Sequence, residues 1–245
     1  MPPIISIRDV SQTFGPRTIF KNVSFDIEPG EVFVILGGSG CGKSTLLKQI
    51  IGLLRPTSGH ITVAGHSVTD DVEAVRKTIG VMFQSGALFG SMTLLENVAL
   101  ALAVFTDLPA AARNEIARIK LALVGLAGAV DLLPAEVSGG MVKRAAIARA
   151  LALDPPILLL DEPSAGLDPI TSAGLDRLIL ELRDALGATF VVVTHELPSI
   201  LAIADRCAML DAKAEGLIAL GPPADLKANA TDPMVKAFFN RETPQ

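Results

Sequence analysis

One glycine-rich segment, residues 37–45, constrains the fold of this chain more than any other stretch. It has the sequence Gly-Gly-Ser-Gly-Cys-Gly-Lys-Ser-Thr and matches the phosphate-binding pattern G-x-x-x-x-G-K-[ST]. Its four glycines allow backbone N–H groups to turn inward, since no Cβ obstructs an approaching phosphate oxygen. The run from Glu31 to Leu36 predicts a buried strand before the loop, and Ser44 to Ile51 predicts a helix after it. The positive end of that helix would face a bound anion, so the segment predicts a nucleotide site.

Two side chains of the loop predict how a nucleotide would be held. Lys43 would reach the β- and γ-phosphates, and the hydroxyl of Ser44 would ligate Mg²⁺. A glycine-rich turn without a ligand is the alternative, but the strand–loop–helix context argues against it. The candidate nucleotide-binding residues of the loop are Gly37, Gly38, Ser39, Gly40, Cys41, Gly42, Lys43, Ser44 and Thr45.

The composition argues against several classes of protein. A chain of 245 residues is long enough for one large α/β domain, or for one domain with a subdomain. Its net charge of −5 argues against a non-specific nucleic-acid binder, so no nucleic-acid partner is expected. Cys41 and Cys207 cannot form a disulfide framework and indicate a reducing compartment. Residues 1–6 lack the basic start and the apolar core of a signal peptide.

Hydrophobic residues make up 50% of the sequence, yet its apolar runs are short. The longest, such as Val98 to Phe105, fall well below the roughly 18 residues that a membrane-spanning helix needs. We therefore expect a buried parallel sheet together with a surface that meets another subunit.

Polar residues follow two further apolar runs. Asp161 ends the run that begins at Ile157, where a strand tip beside the phosphate loop would hold Mg²⁺. The adjacent Glu162 is a candidate general base for water. His195 follows the run from Ala188 to Thr194; a lone histidine is usually structural, but this strand tip favours a functional one because ligands bind at that edge of parallel sheets.

The middle of the chain and its tail are predicted to be helical. Residues 91–154 are interpreted as a helical subdomain inserted into a single domain that spans residues 1–245, followed by a tail at about 222–245. Within the subdomain, Thr106 or Asp107 is predicted to cap a helix that has Pro109 in its first turn. The tail helix is predicted to begin at the cap Asp232. Its apolar stripe could pack on its own domain, but packing on a second protomer or on a small partner is favoured.

Taken together, these motifs resemble those of the nucleotide-binding subunit of an ABC transporter, in the expected order and over essentially the whole chain. Phe14 matches the adenine-stacking position, although its residue type alone favours an ordinary core position at a β edge. Gln84 matches the glutamine that links the Mg²⁺ site to the membrane partner. Asp168 matches the aspartate that contacts the dimer partner, and His195 matches the switch histidine.

Residues 137–141 match the ABC signature, with a departure at each end. Val137 and Met141 replace the leucine and the glutamine of the commonest form, Leu-Ser-Gly-Gly-Gln. Ser138, Gly139 and Gly140, which would donate to the γ-phosphate from a helix N-terminus, are intact. The resemblance therefore implies that activity survives.

The resemblance also implies a fold, a set of cofactors and a dimer. The fold would be α/β: a P-loop NTPase (RecA-like) core with a parallel sheet, an N-terminal antiparallel β part and a helical signature subdomain. ATP and Mg²⁺ would be bound, with Ser44, Gln84 and Asp161 at the metal, and Lys43, Gln84, Glu162 and His195 in hydrolysis. Two copies would form a homodimer, because each signature completes the site of the other copy.

Three further segments resemble the ATPase of Mla- or Mce-type lipid transporters: Ser-Gly-Gly-Met at 138–141, residues 83–92 and residues 232–240. This resemblance implies a phospholipid or another lipid as cargo, and a peripheral location on the cytoplasmic side of the inner membrane. It implies an integral membrane permease, an MCE-domain lipid-binding protein and, in many cases, a STAS-domain subunit. Apolar residues among 84–92 are expected to contact the permease.

Three alternatives stay open at this stage. An ABC importer ATPase for amino acids or ions would share every core motif. A non-transport ABC protein of DNA repair or translation would need a long coiled-coil insertion or a second cassette, and neither is present. A P-loop kinase would need an acceptor-binding subdomain and would leave residues 137–141 unexplained.

Overall fold

The computed structural model describes residues 2–242, so the last three residues of the predicted tail and Met1 lie outside it. In chain order the strands are β1 (Ile5–Phe14), β2 (Arg17–Ile27), β3 (Val32–Gly37), β4 (Ser58–Val63), β5 (His66–Ser67), β6 (Ile79–Met82), β7 (Ile157–Asp161), β8 (Thr189–Val193), β9 (Arg206–Asp211) and β10 (Gly216–Gly221). The α-helices are α1 (Lys43–Ile50), α2 (Val72–Thr78), α3 (Leu94–Phe105), α4 (Ala110–Leu123), α5 (Gly139–Ala150), α6 (Pro169–Leu186), α7 (Leu197–Ile203), α8 (Pro223–Asn229) and α9 (Pro233–Asn240).

The strands form two sheets. The N-terminal one has the order β2-β1-β4-β5 and is antiparallel throughout, as the sequence predicts. The other has the order β10-β9-β3-β8-β7-β6 and is parallel except for β10. Strands β3 and β8 are buried along their whole length, because a parallel sheet with both faces covered needs apolar residues on both.

The parallel sheet separates two hydrophobic cores, and alternate residues of β3 serve each of them. Phe33 and Ile35 face the core shared with the antiparallel sheet and α1. Val34 and Leu36 face a larger core under helices α3 to α7 and α9. The site-bearing strands are thus fixed from both sides. Within residues 2–242, no helix combines the length and the apolar character needed to cross a membrane.

The predicted start of α4 is wrong. Pro109 is the N-cap residue and no side chain caps the helix, while Thr106 terminates α3 and donates its hydroxyl to the carbonyl of Leu102 at 2.6 Å. The hydroxyl is bonded within the residues that precede α4, and in the described part of the chain no bond joins it to the first turn of that helix. The side-chain cap in this region belongs to α3, where Thr93 and Glu96 form a reciprocal capping box.

The tail helix begins as the sequence predicts but packs elsewhere. The Asp232 carboxylate accepts hydrogen bonds from the N–H groups of Met234 and Val235 at 2.8 and 3.2 Å. Val235 and Phe239 are fully buried in the larger core, so the expectation that this stripe packs on another protein is wrong. The physical reason is that the larger core includes Ile200 and Ile203 of α7, and the two side chains of the tail helix join this cluster.

We predict that Phe239→Ala lowers the free energy of unfolding by about 3–5 kcal/mol, since it removes a fully buried ring from a packed core. Phe105→Ala is the matched control: this ring is 63% exposed, and we expect a change within about 0.5 kcal/mol. Equilibrium unfolding in urea measures both values. Equal effects of the two substitutions would contradict the packing of α9 on its own domain.

Candidate functional site

The phosphate loop leaves β3 at Gly37 and enters α1 at Lys43, as the motif predicts. Gly37 and Gly42 have φ angles of +145° and +101°, which L-residues with a Cβ rarely adopt. A Cβ on Gly37 would lie 2.2 Å from the carbonyl oxygen of Leu210, and one on Gly42 would lie 2.6 Å from Cδ1 of Phe20. Glycine is therefore required at both ends of the loop by its neighbours.

The Lys43 side chain folds back over the loop. Its ammonium donates to the carbonyl oxygens of Gly37 at 2.8 Å and of Gly38 at 3.0 Å. Both acceptors are uncharged carbonyl groups. The contacts therefore hold a positive charge above the loop, where phosphate oxygens would lie. Cys41 is buried and burial raises the pKa of its thiol, so only its backbone can serve a ligand here.

A cleft of about 360 Å³ continues from the loop toward the antiparallel sheet. Phe14 lines it and is 49% exposed, so the reading of this ring as ordinary core is wrong. The turn after Phe14 returns the chain so that Arg17 and Ile19 line the same cleft. The sequence analysis missed both residues; the hairpin signal Gly15-Pro16 could have placed them opposite Phe14.

Two carboxylates lie beside the loop at the end of β7. Burial raises the pKa of Asp161, the charge of Glu162 raises it further, and Lys48, Lys43 and Lys143 oppose the shift. The atoms Asp161 Oδ1 and Glu162 Oε2 are buried and have no hydrogen-bond partner within the described part of the chain. Two unpartnered carboxylate oxygens are unfavourable in a protein interior, and a cation would satisfy them.

Glu162 and His195 meet across neighbouring strand ends. Nδ1 of His195 lies 2.9 Å from Oε1 of Glu162, and the imidazole is 63% exposed while the carboxylate is 11% exposed. Glu162 has a φ of +47°, and its N–H donates to the carbonyl of Val193 at 2.8 Å. A left-handed conformation in a non-glycine residue is strained and persists only where its surroundings fix it. The structure thus brings two of the predicted site residues together as a hydrogen-bonded pair.

Gln84 follows β6, the next strand along, and its side chain is exposed. Its backbone carbonyl accepts a hydrogen bond from the ammonium of Lys143, a buried residue of α5 that the sequence analysis did not single out. The available signal was a basic residue two positions after the signature match at 137–141.

The signature residues stand apart from the phosphate loop within one chain. Ser138 caps α5, accepting from the N–H of Met141 at 3.3 Å, and both Ser138 and Gly139 are exposed. Gly140 is buried against Thr171, whose Cγ2 would lie 2.5 Å from a Cβ placed there. Among the residues described, none of the signature lines the cleft beside Phe14.

Asp168 caps α6 and is exposed. It accepts hydrogen bonds from the N–H groups of Ile170 and Thr171 and from the Thr171 hydroxyl at 2.5 Å. The bonds from Thr171 hold the pKa of this carboxyl below its usual range. These bonds therefore fix the start of α6, although Asp168 itself faces solvent.

The family follows from a comparison with known domain families, in which the model for ABC transporters matches residues 20–165. This chain belongs to the ABC transporter family. It is an ATP-binding subunit with ATPase chemistry, and its fold is that of the P-loop NTPases, with the predicted parallel core.

Curated relatives match this ABC ATPase over nearly its whole length. The intermembrane phospholipid transport system ATP-binding protein MlaF of Escherichia coli K12 is 44% identical, over 97% of this chain and 88% of the relative. A probable ribonucleotide transport ATP-binding protein, mkl of Mycobacterium leprae, is 41% identical, over 96% of this chain and 68% of the relative.

Solved structures share the fold of the ABC ATPase. The protein cbiO1 of Clostridium perfringens, part of the transporter complex cbiONQ, superposes with a TM-score of 0.85 at 29% identity, covering 94% of this chain and 92% of that one. The cassette MJ0796, in a dimeric post-hydrolysis state with ADP and Pi, gives a TM-score of 0.79 at 31% identity, covering 89% and 98% of the two chains.

The residues of this ABC ATPase fit a nucleotide with its metal ion. The cradle begins and ends with glycines that cannot carry a Cβ, Gly37 and Gly42, and a lysine ammonium stands above it. The two unpartnered acid oxygens at the end of β7 provide the hard oxygen donors that Mg²⁺ prefers.

We predict that Gly37→Ala lowers the melting temperature of the ABC ATPase and weakens its ATP binding, because the new methyl group would collide with the Leu210 carbonyl. Gly38→Ala is the control for folding: nothing lies within 4 Å of a Cβ at that position, so the melting temperature should stay unchanged. Thermal unfolding and a fluorescent ATP-analogue titration measure the two effects. A Gly37→Ala protein as stable as Gly38→Ala would show that the loop relaxes freely.

Proposed function

We propose that this ABC ATPase powers a transporter of phospholipids or other lipids, from the cytoplasmic side of the inner membrane. The observation that carries the proposal is the 44% identity to the phospholipid transport subunit MlaF, spread over 97% of this chain. The relative named for ribonucleotide transport is 41% identical and extends further beyond the matched region, since only 68% of it is covered. The lipid is therefore the favoured cargo, and a ribonucleotide is the alternative that the test must separate.

The roles of the site residues follow from their positions. The glycine-rich loop would bind the phosphates through its N–H groups, with Lys43 as the cation closest to them. Ser44, Asp161 and Gln84 would hold Mg²⁺, which when bound neutralises charge on the β- and γ-phosphates. Phe14 would stack on the adenine, because its ring is exposed in the cleft that begins at the loop.

Glu162 and His195 would act at the attacking water. An ionised carboxylate can only accept a hydrogen bond, so Nδ1 of His195 donates to Oε1 of Glu162 and leaves Nε2 toward solvent. Oε2 of Glu162 has no hydrogen-bond partner within residues 2–242, and it would orient a water and receive its proton. His195 would thus fix the orientation of the base.

A homodimer would complete the site. Ser138, Gly139 and Gly140 begin α5 away from the phosphate loop of their own chain, so a second copy would supply them to the bound ATP. Asp168, exposed and rigid at the start of α6, would lie at the same contact. The dimeric state of the related cassette MJ0796 supports this arrangement. Each copy would be one nucleotide-binding domain, with residues 91–154 as its helical subdomain.

The segment from Gln84 to Met92 would meet an integral membrane permease. Phe89 is 53% exposed at its centre, although large apolar side chains in solvent are unfavourable. The buried Asn97 fixes this presentation, accepting from the N–H of Phe89 at 2.7 Å and donating to its carbonyl at 3.1 Å. An MCE-domain lipid-binding protein and a STAS-domain subunit would complete the assembly, as the Mla-type resemblance implies.

We predict that Glu162→Gln retains ATP binding and loses nearly all ATPase activity, because the amide cannot accept the proton of the attacking water. Removal of a general base usually lowers the rate by about 10²- to 10⁴-fold. Single-turnover hydrolysis measures the rate, and equilibrium binding of ATP provides the control. Near wild-type turnover would show that Glu162 is not the base.

The cargo is tested on the chain purified from its native membranes with the proteins that accompany it. We expect a permease and co-extracted phospholipid in stoichiometric amount, identified by mass spectrometry. Phe89→Asp should lose the permease, while Phe105→Asp, at a still more exposed position on α3, should retain it. A permease complex that carries ribonucleotide, an amino acid or an ion in place of lipid would overturn the proposed cargo.

A further inference from the structure

Helix α5 directs an ammonium group into the hydrolytic site. Lys143 lies on its second turn and is only 7% exposed, although lysine is rarely buried to this extent. The ammonium donates to two main-chain carbonyl groups, those of Gln84 and, at 3.3 Å, Glu162. Both acceptors belong to residues whose side chains the proposed mechanism uses.

The buried position is unfavourable for the charge. Burial lowers the pKa of Lys143, while the nearby carboxylates of Glu162, Asp161 and Glu196 raise it. A similarly buried lysine elsewhere in the chain, Lys120, forms an ion pair with Asp154. Lys143 instead donates its hydrogen bonds to backbone carbonyls. An apolar residue at this position could not satisfy those carbonyls.

The contact with Glu162 bears on where its carboxylate points. The residue is strained, with a φ of +47°, and its own N–H donates to Val193 in β8. Lys143 fixes the carbonyl on the other side of the same residue. Since φ and ψ set the direction of the Cα–Cβ bond, the two contacts together orient the carboxylate toward His195.

The contact with Gln84 extends this effect to the next strand end. A second cation of α5, Arg149, donates to the carbonyls of Gly86 and Ala87 at 2.8 and 2.7 Å. The loop after β6 is therefore held along three carbonyls by one helix, and only Lys143 of the two cations also reaches Glu162.

We infer that Lys143 is a positioning residue for hydrolysis: its ammonium joins the signature helix to the backbones of Gln84 and Glu162 and so holds the base in its reactive orientation. This inference rests on the proposed role of Glu162. Because Lys143 lies two residues after the signature, a displacement of α5 would move the carbonyls of both residues together.

The test compares Lys143→Met with Lys120→Met in the full chain. Both substitutions remove a buried ammonium from a helix. The melting temperature of each variant is measured, so that a loss of stability is distinguished from a loss of rate. We expect Lys143→Met to lower kcat by about tenfold or more with an unchanged Kd for ATP, since misplaced reacting groups cost rates of this order. Lys120→Met should lower stability alone. Lys143→Arg, which keeps the charge and two or more donors, should recover most of the lost rate.

Hydrogen exchange locates the effect. In Lys143→Met, backbone amides at 85–88 and 164–167 should exchange faster, while those at 38–45 should not change. Should the methionine variant fail to fold, Lys143→Gln replaces it with the same expectations. A folded variant with kcat within about twofold of wild type, or with a loss no greater than that of Lys120→Met, would overturn the inference.

Glu162→Gln is measured in parallel to separate the two possible failures. If Glu162→Gln is slow and Lys143→Met is not, only the positioning role is wrong. If Glu162→Gln turns over normally, the proposed base is wrong, and the positioning role is overturned with it.

Discussion

The parallel pairing of β3, β8, β7 and β6 is the constraint on which the rest of the site depends. Parallel strands end at the same edge, and the register aligns Ile35 with Val193 and Val193 with Asp161. The phosphate loop, His195 and the two acids therefore emerge side by side. The strands are apolar where they are buried, so the polar residues of the site lie at the last strand position, as Asp161 does, or just beyond it.

The charges of the acids and lysines at this edge of the sheet offset one another. Asp161 and Glu162 repel each other in a partly buried place, and Lys43, Lys48 and Lys143 offset that repulsion. Lys43 and Lys143 are themselves bonded to carbonyls, and one oxygen of each acid has no hydrogen-bond partner within residues 2–242. A bound cation, as the proposed function expects, would complete the charge balance between the acids and the phosphates.

The apolar side chains outside the nucleotide site include both buried and exposed ones. The tail helix buries Val235 and Phe239 in its own domain, so it adds stability and is not needed as a docking element. Phe89 remains exposed because Asn97 fixes the loop that carries it. Under the proposed function this loop would meet the permease, and only the residues between Gln84 and Phe89 would separate that contact from the nucleotide.

The sequence by itself determined the fold class, the strand–loop–helix around residues 37–45, and the identity of the acids and of His195, because each depends on local spacing and residue type. It misplaced the cap of α4, because the Thr106 hydroxyl bonds to the preceding turn, and it misplaced the partner of the tail helix, because burial depends on neighbours distant in the chain. Only the tertiary structure decided that Phe14 is exposed, that Arg17 shares its cleft, and that Lys143 reaches two carbonyls 59 and 19 residues away. Such long-range contacts follow from the packing of α5 against the sheet, and no local pattern encodes them.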